Sequence, residues 1–265
     1  MNTNRNINVG KFESAMMKSI HHWLNYMCKV SRIDLLAENA IKFPLMEYIE
    51  RNLSIEKGQI ECNYKDILSI DCFNTDRYVD IMWEDKNTEY LIELKYVKND
   101  TKAKKQLYFN DLVRLSLALR LKKNKNRRCF FLVCGKTTEF IEQFQGQLPQ
   151  DDYKGGNSIK QKRGRKPVQP FSKWLLFNNK GNEVYKEIYY DSIVKTGPFV
   201  NFIKEYFKGN ADSSSYNKRR IKKINKEDCI QYLCSFYTRQ IWQMSSINDE
   251  QATGLWEVVL KKEQD

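Results

Sequence analysis

The chain has 265 residues, and its 45 Lys and Arg against 33 Asp and Glu give a formal net charge of +12. That length allows a substantial buried core in one domain, or in one domain with an extension. No apolar run approaches the ~20 residues of a membrane span, and the first residues lack the apolar core of a signal peptide. The seven cysteines include no C-x-x-C pair, so zinc and iron–sulfur sites have little support. We therefore expect a cytoplasmic protein that is not in the membrane and whose positive charge favours a nucleic-acid partner.

Two helices are predicted at the start of the chain. Apolar residues recur three to four apart over 11–30, and a second helical segment covers 33–53. Pro44 lies inside the second segment, so a kink or a break is expected near Phe43.

The segment 77–97 contains two apolar, β-branched and aromatic runs around a short charged connection. This pattern is typical of a β-hairpin, and a short strand over 58–62 is expected before it. A four-residue loop over 85–88 would set Asp80 opposite Glu93, with Cβ atoms roughly 4.5–5.5 Å apart. Lys95 then shares a face with Glu93, because side chains alternate with period two along a strand.

These three charged residues have two interpretations. The first is a solvated ladder of ion pairs on an exposed face. Apolar neighbours on both faces instead indicate a hairpin that is buried on both sides: Val79, Ile81, Leu91, Ile92 and Leu94. Buried charges are costly unless they pair or bind a metal, and a divalent cation would relieve the repulsion between the two carboxylates. We therefore favour a functional site over an ion-pair ladder.

Asp80, twelve intervening residues and then Glu93-Leu94-Lys95 resemble the motif of the PD-(D/E)xK nuclease superfamily, which has the restriction-endonuclease-like fold. Val79 stands where the motif's name has proline. The resemblance implies that Asp80, Glu93 and the Leu94 carbonyl bind Mg²⁺, for which Mn²⁺ can substitute. It also implies that Lys95 positions or activates the attacking water.

In this superfamily a glutamate from an earlier helix often completes the metal site. Glu38 and Glu47 are the candidates weighed on the predicted 33–53 helix. Glu38 is our choice, because the small Ala37 and Ala40 beside it indicate close packing.

A strongly amphipathic helix is predicted over 101–120, and an apolar strand follows over 128–134. Together with the hairpin they make a β-α-β crossover with parallel strands, which is the element order that the resemblance implies. Related folds also place a Gln on this helix near the attacking water, so Gln106 is a candidate catalytic residue. Asp111 and Arg114 are interpreted as an ordinary ion pair at spacing i, i+3, which contributes only about a few tenths of a kcal/mol.

Basic residues are concentrated in three places that we expect to contact the DNA backbone. Lys102, Lys104 and Lys105 are placed just before the helix proper, and five more Lys and Arg fill the turn over 122–128. The third place is the run over 163–167, where Arg163, Arg165 and Lys166 resemble an AT-hook that enters the minor groove. A flexible basic loop that contacts phosphates is the favoured interpretation of this run, and the minor-groove arm is the alternative.

We therefore predict an α/β fold with a mixed central sheet flanked by helices. The restriction-endonuclease-like core would cover 1–146, a flexible basic linker or insertion 147–170, and a C-terminal sheet extension with helices, packed on the core, 171–265. Within the last part, a closing strand is expected over 255–260. A helix is also expected there, with an apolar face made of Cys229, Tyr232, Leu233, Phe236 and Ile241.

The expected function is a Mg²⁺-dependent endonuclease that hydrolyses double-stranded DNA. A restriction or phage-defence role and a homodimer are implied by the family alone. Two alternatives remain: a catalytically inactive nucleic-acid-binding protein on the same fold, and a basic scaffold protein whose hairpin charges form an ion-pair ladder. The intact Asp80, Glu93 and Lys95 favour the enzyme over the inactive protein, whereas the scaffold protein predicts no magnesium binding and no thermal shift with divalent ions.

Overall fold

The computed structural model describes residues 9–53, 57–68, 77–97, 102–121, 126–144, 236–244 and 249–260. Within these ranges five α-helices, one 3₁₀ turn and six strands alternate along the chain. The helices are α1 Val9–Lys29, α2 Glu38–Asn52, α3 Tyr64–Leu68, α4 Lys102–Arg120 and α5 Thr137–Phe144, and the 3₁₀ turn is Ile33–Leu35. The strands are β1 Lys57–Asn63, β2 Tyr78–Glu84, β3 Thr88–Val97, β4 Asn126–Lys136, β5 Phe236–Met244 and β6 Gln251–Leu260.

The six described strands form one sheet in the order β1-β2-β3-β4-β6-β5. Four of the neighbouring pairs are antiparallel, and only β3 and β4 run parallel, joined by α4. The predicted mixed α/β architecture and the parallel β-α-β unit are therefore confirmed.

Helices cover both faces of the sheet. Residues of α3, α4 and α5 share one hydrophobic cluster with alternate side chains of the sheet, while α1 and α2 share a second cluster with the opposite side chains. Leu91 and Val97 belong to the first cluster, and Ile92 and Leu94 belong to the second. Because side chains alternate along a strand, Glu93 and Lys95 lie on the face that α4 covers. None of the described helices is long and apolar enough to cross a membrane.

The hairpin has the predicted register. Met82 lies opposite Leu91 and Glu84 lies opposite Glu89. The Asp85 side chain accepts hydrogen bonds from the backbone N–H groups of Asn87 and Thr88, which is the local reason for the tight turn. The five apolar residues that predicted burial on both sides are all fully buried: Val79, Ile81, Leu91, Ile92 and Leu94.

The predicted helix through Phe236 and Ile241 is wrong in the part that the structure describes. Residues 236–244 form β5, which pairs antiparallel with β6. The segment Phe-Tyr-Thr-Arg-Gln-Ile-Trp is rich in β-branched and aromatic residues, and its antiparallel pairing with β6 overrides the apparent helical spacing. Cys229, Tyr232 and Leu233 lie outside the described residues.

The second helix and the position of three lysines also differ from the prediction. Instead of one segment over 33–53, the chain makes a 3₁₀ turn and then starts α2 at Glu38. The helix α2 continues through Pro44, so the expected break near Phe43 is absent from this fully described helix. The helix α4 agrees with the predicted 101–120, but Lys102, Lys104 and Lys105 lie in its first turn and do not precede it.

The proposed domain boundaries at 146/147 and 170/171 lie outside the described residues and stay predictions. The strand over 255–260 is part of β6, which pairs with β4 and so joins the same sheet as the hairpin. The described C-terminal residues therefore extend the sheet that carries the candidate site.

Candidate functional site

The candidate site forms where β2 and β3 stop pairing. Their ladder ends at Ile81 opposite Ile92, one pair short of Asp80 and Glu93. Beyond that point Asp80 Oδ2 accepts a hydrogen bond of 2.7 Å from the Leu94 N–H. A carboxylate thus takes the place that a strand carbonyl would fill, and the strands separate next to the two acids.

Glu38 borders the same gap from α2. Its Oε1 atom accepts a hydrogen bond of 3.4 Å from the N–H of Tyr96, two residues beyond Leu94. The N–H and C=O of one strand residue point to the same side, so we infer that the Leu94 carbonyl also faces this gap. Glu47, the competing candidate, is exposed and forms a surface pair with Arg51.

The Lys95 ammonium lies at the centre of four carboxylates. Its Nζ is 3.0 Å from Asp111 Oδ2 and 3.7 Å from Glu38 Oε2. It is 3.9 Å from both Asp80 Oδ2 and Glu93 Oε2. The structure therefore brings together the three motif residues and Glu38.

Glu93 is the most deeply buried acid of the group, with 2% of its surface exposed. The Tyr64 hydroxyl donates a hydrogen bond of 2.9 Å to its Oε1 atom, and Arg114 Nε lies 3.9 Å from the same oxygen. Burial, and then the nearby Asp80 charge, raise the pKa of Glu93 to about 7 against the opposing effect of Lys95 and Arg114. Its negative charge is thus only partly compensated.

Lys95 stays protonated in this environment. Burial alone would lower the pKa of Lys95, but the charges of Glu93, Asp80 and Glu38 outweigh that effect and raise it. The side chain therefore acts as a cation that can donate hydrogen bonds, and not as a neutral amine base.

Asp111 and Arg114 form the predicted i, i+3 ion pair, but the pair is buried within the site and is not an isolated pair on the helix surface. They have 4% and 8% of their surface exposed, and they form an ion pair with each other. Arg114 also packs its guanidinium 5.7 Å from the centre of the Tyr64 ring. The almost unbroken apolar run from Leu112 to Leu119 was the available signal, because a helix that is apolar on most sides is a buried one.

Lys42 was not considered as a site residue, yet it has one of the shortest contacts with a motif residue. Its Nζ is 2.8 Å from Asp80 Oδ1 and 2.9 Å from Glu61 Oε1. Hydrogen bonds to Asp80 and Glu61 raise the pKa of Lys42 although burial opposes them. Its position four residues after Glu38 on α2, and so on the same side of that helix, could have suggested it.

The remaining predicted residues are Gln106 and the basic residues. Gln106, Lys102, Lys104 and Lys105 lie in the early turns of α4, and the structure describes only their backbone. Arg163, Arg165 and Lys166 lie outside the described residues. Arg127 and Arg128, which were assigned to a basic turn, belong instead to β4 and pair with carboxylates: Glu89, Glu257 and Glu13.

The carboxylates face cations rather than one another. Among the described residues, no group of three or more His, Cys, Asp or Glu side chains is arranged as a ready metal cage. The donor atoms are nevertheless carboxylate oxygens, the type that Mg²⁺ prefers. Burial and the nearby Asp80 charge both raise the pKa of Glu93, and a divalent cation bound beside it would favour the ionised form. The donor set therefore fits Mg²⁺ in chemistry, provided that the cation can compete with the ammonium groups.

Comparison of the chain with protein-family models, with curated proteins and with solved structures finds no match. The functional assignment therefore depends on the geometry of the site and on the motif.

Proposed function

We propose that this chain is a metal-dependent endonuclease that hydrolyses DNA phosphodiester bonds. The observation that carries the proposal is the convergence of Asp80, Glu93 and Lys95 at the point where β2 and β3 separate. Two acids and one lysine on a diverging hairpin are the groups that metal-assisted phosphodiester hydrolysis needs.

The arrangement of elements supports a restriction-endonuclease-like core. A helix precedes an antiparallel hairpin that carries the acids, and a further helix leads to a strand parallel to the second hairpin strand. This is the order that the resemblance to the PD-(D/E)xK superfamily implies.

Asp80, Glu93 and the Leu94 carbonyl, with Glu38 at the edge, would hold Mg²⁺ or Mn²⁺. When bound there, the metal neutralises charge on the scissile phosphate and makes the attacking water more acidic. Glu38 also caps the free N–H of Tyr96, so it keeps the open strand edge in place for the other ligands.

Lys95 supplies a second positive charge next to the acids. As an ammonium group it would orient the attacking water and stabilise the negative charge that develops on the phosphate. Asp111 holds this ammonium at 3.0 Å, and Arg114 pairs with Asp111 from the next helical turn. Gln106 would contact the same water from the start of α4.

The choice of DNA follows from charge and from the resemblance. The net charge of +12 favours a polyanion. We propose that Lys102, Lys104 and Lys105 contact phosphates from the first turn of α4, and that the basic residues over 163–166 add further phosphate contacts.

A catalytically inactive nucleic-acid-binding protein is the second candidate. Its support is that Lys42, Lys95 and Arg114 already neutralise much of the acidic charge. An inactive protein would bind DNA with the same salt dependence but would leave it intact in Mg²⁺ and Mn²⁺.

The test is the cleavage of a plasmid and a long linear duplex with Mg²⁺ or Mn²⁺. Asp80→Ala and Lys95→Ala should abolish cleavage, whereas Lys86→Ala, at an exposed lysine in the hairpin turn, should not. Cleavage that needs metal and both residues supports the nuclease. Tight binding without cleavage would establish the second candidate instead.

A further inference from the structure

Lys42 occupies a position where an unpaired lysine would be costly. It lies on α2 with 6% of its surface exposed, in contact with the candidate metal ligand Asp80. Moving an ammonium group out of water is strongly unfavourable unless ion pairs compensate for it. The two carboxylates that contact Nζ provide that compensation.

The contact with Lys42 also means that each carboxylate oxygen of Asp80 already has a partner. Oδ1 of Asp80 lies 2.8 Å from the Lys42 ammonium, and Oδ2 accepts the Leu94 N–H at 2.7 Å. Both oxygens of the acid thus have a close partner. A metal ion that bonds directly to Asp80 must take the place of one of them, and the lysine side chain moves more easily than the strand backbone.

Glu61 is built to keep Lys42 nearby. The β1–β2 pairs on either side, Ile60 with Ile81 and Cys62 with Val79, place Glu61 opposite Asp80. Its φ of 56° is left-handed, which is unfavourable for a residue with a side chain. Such strain persists mainly where the surrounding structure uses it, and here it accompanies a contact of 2.9 Å with Lys42.

We propose that Lys42 is the resident counter-ion of Asp80 and that a divalent cation binds the site only by displacing it toward Glu61. The inference rests on the proposed function, because it takes Asp80 as a metal ligand. Glu61 is exposed, so the displaced ammonium keeps one carboxylate partner and gains water for its remaining donors. Lys42 is therefore a positioning residue that sets the metal concentration at which the site fills.

The test is calorimetric titration of the full-length protein with Mn²⁺ in the absence of nucleic acid. Lys42→Met should bind Mn²⁺ about tenfold more tightly than wild type, since the competitor is gone. Lys86→Met removes the same charge from the exposed hairpin turn and should match wild type. Without metal, Lys42→Met should melt at a lower temperature, because Asp80 loses its partner, and saturating Mn²⁺ should raise its Tm more than that of wild type.

Glu61→Gln provides a second variant if Lys42→Met does not fold. It should bind Mn²⁺ more weakly, because the displaced ammonium then has no carboxylate to move toward. Equal or tighter Mn²⁺ binding by Glu61→Gln would contradict the displacement.

The outcomes separate this inference from the nuclease proposal. Equal Mn²⁺ affinity for wild type and Lys42→Met overturns the displacement and leaves the metal site standing. If Lys42→Met binds Mn²⁺ and wild type does not, the displacement is supported, because Lys42 then keeps the metal out of the wild-type site. If neither protein binds Mn²⁺, the displacement and the metal-dependent nuclease are both overturned.

Discussion

At the scale of single residues, the site is a set of acids held by cations of the same chain. The closest carboxylate to Lys95 is Asp111, at 3.0 Å, and not either of the acids in its motif. The motif residues were predictable from local sequence. The register of the hairpin sets Asp80 opposite Glu93, and the period of two along a strand places Lys95 on the same face as Glu93. Asp111, Lys42 and Tyr64 come from three other elements and meet the motif only through tertiary packing, so local signals could indicate that Asp111 is buried or that Lys42 is on the side of Glu38, but not that they contact the motif.

Asp111→Asn should slow cleavage without abolishing metal binding. The amide keeps the shape of the side chain but loses the charge that fixes Lys95, and a misplaced catalytic group costs about 10–100-fold in rate. The single-turnover rate at saturating DNA should fall by that factor, while KM and Mn²⁺ affinity change little. Glu47→Gln, at an exposed glutamate of α2, is the control. An unchanged rate would show that Asp111 does not position Lys95.

Glu93 should make the metal-free protein less stable as the pH rises. Its pKa is about 7 in the folded protein against an ordinary 4.5, so between these values the folded state holds a proton that the unfolded chain has released. The Glu93 contribution is thus complete below about pH 4.5 and is lost as the pH rises to about 7, at roughly 1.4 kcal/mol per pH unit. Urea unfolding in EDTA from pH 5 to 8 should show wild type losing stability relative to Glu93→Gln. A difference that is constant with pH would contradict this.

At the scale of elements, local patterns predicted the hairpin and α4 well. The hairpin register follows from its short turn and its alternating residues, and both belong to contiguous sequence. The strand β5 was missed because its partner β6 decides its conformation, and residues 236–241 taken alone also fit a helical spacing. Arg127 and Arg128 were likewise assigned to a turn, because local sequence does not show their partner carboxylates. These carboxylates lie on other elements: β3, β6 and α1.

The first turn of α4 and the start of β4 should differ in their effect on DNA binding. Replacing Lys102, Lys104 and Lys105 by Ala should reduce the slope of log affinity against log salt by about two to three, since each phosphate contact contributes about 0.9. Arg128→Met should leave that slope unchanged, because the guanidinium is already paired with Glu257 and Glu13. Its effect should instead be a loss of stability of roughly 1–3 kcal/mol.

Fluorescence anisotropy with a labelled duplex in EDTA measures these slopes without cleavage, and urea unfolding measures the stability. If Arg128→Met lowered the slope as much as the triple variant does, the β4 arginines would be part of the DNA surface. The assignment of Arg128 to internal ion pairs would then be incorrect.

At the scale of the whole molecule, one sheet contains the strands β1 to β4 and the C-terminal strands β5 and β6. The C-terminal strand β6 lies between β4 and β5, so residues 236–260 complete the sheet on the side away from β1. The mixed α/β architecture was predictable from the alternation of elements, whereas the strand order beyond β4 depends on pairings across more than a hundred residues. The net charge of +12 belongs to this scale as well, because it acts on a polyanion before any single contact forms.

The most direct test of the metal site is a crystal structure of the protein with Mn²⁺, in which anomalous scattering locates the ion. We predict a peak at roughly 2.0–2.3 Å from oxygens of both Asp80 and Glu93, as for hard divalent cations. Lys42 should have moved off Asp80 Oδ1. A structure in which Mn²⁺ binds elsewhere, while Lys42 and Lys95 keep their contacts with the two acids, would overturn the metal site and would identify these charges as a structural ion-pair network.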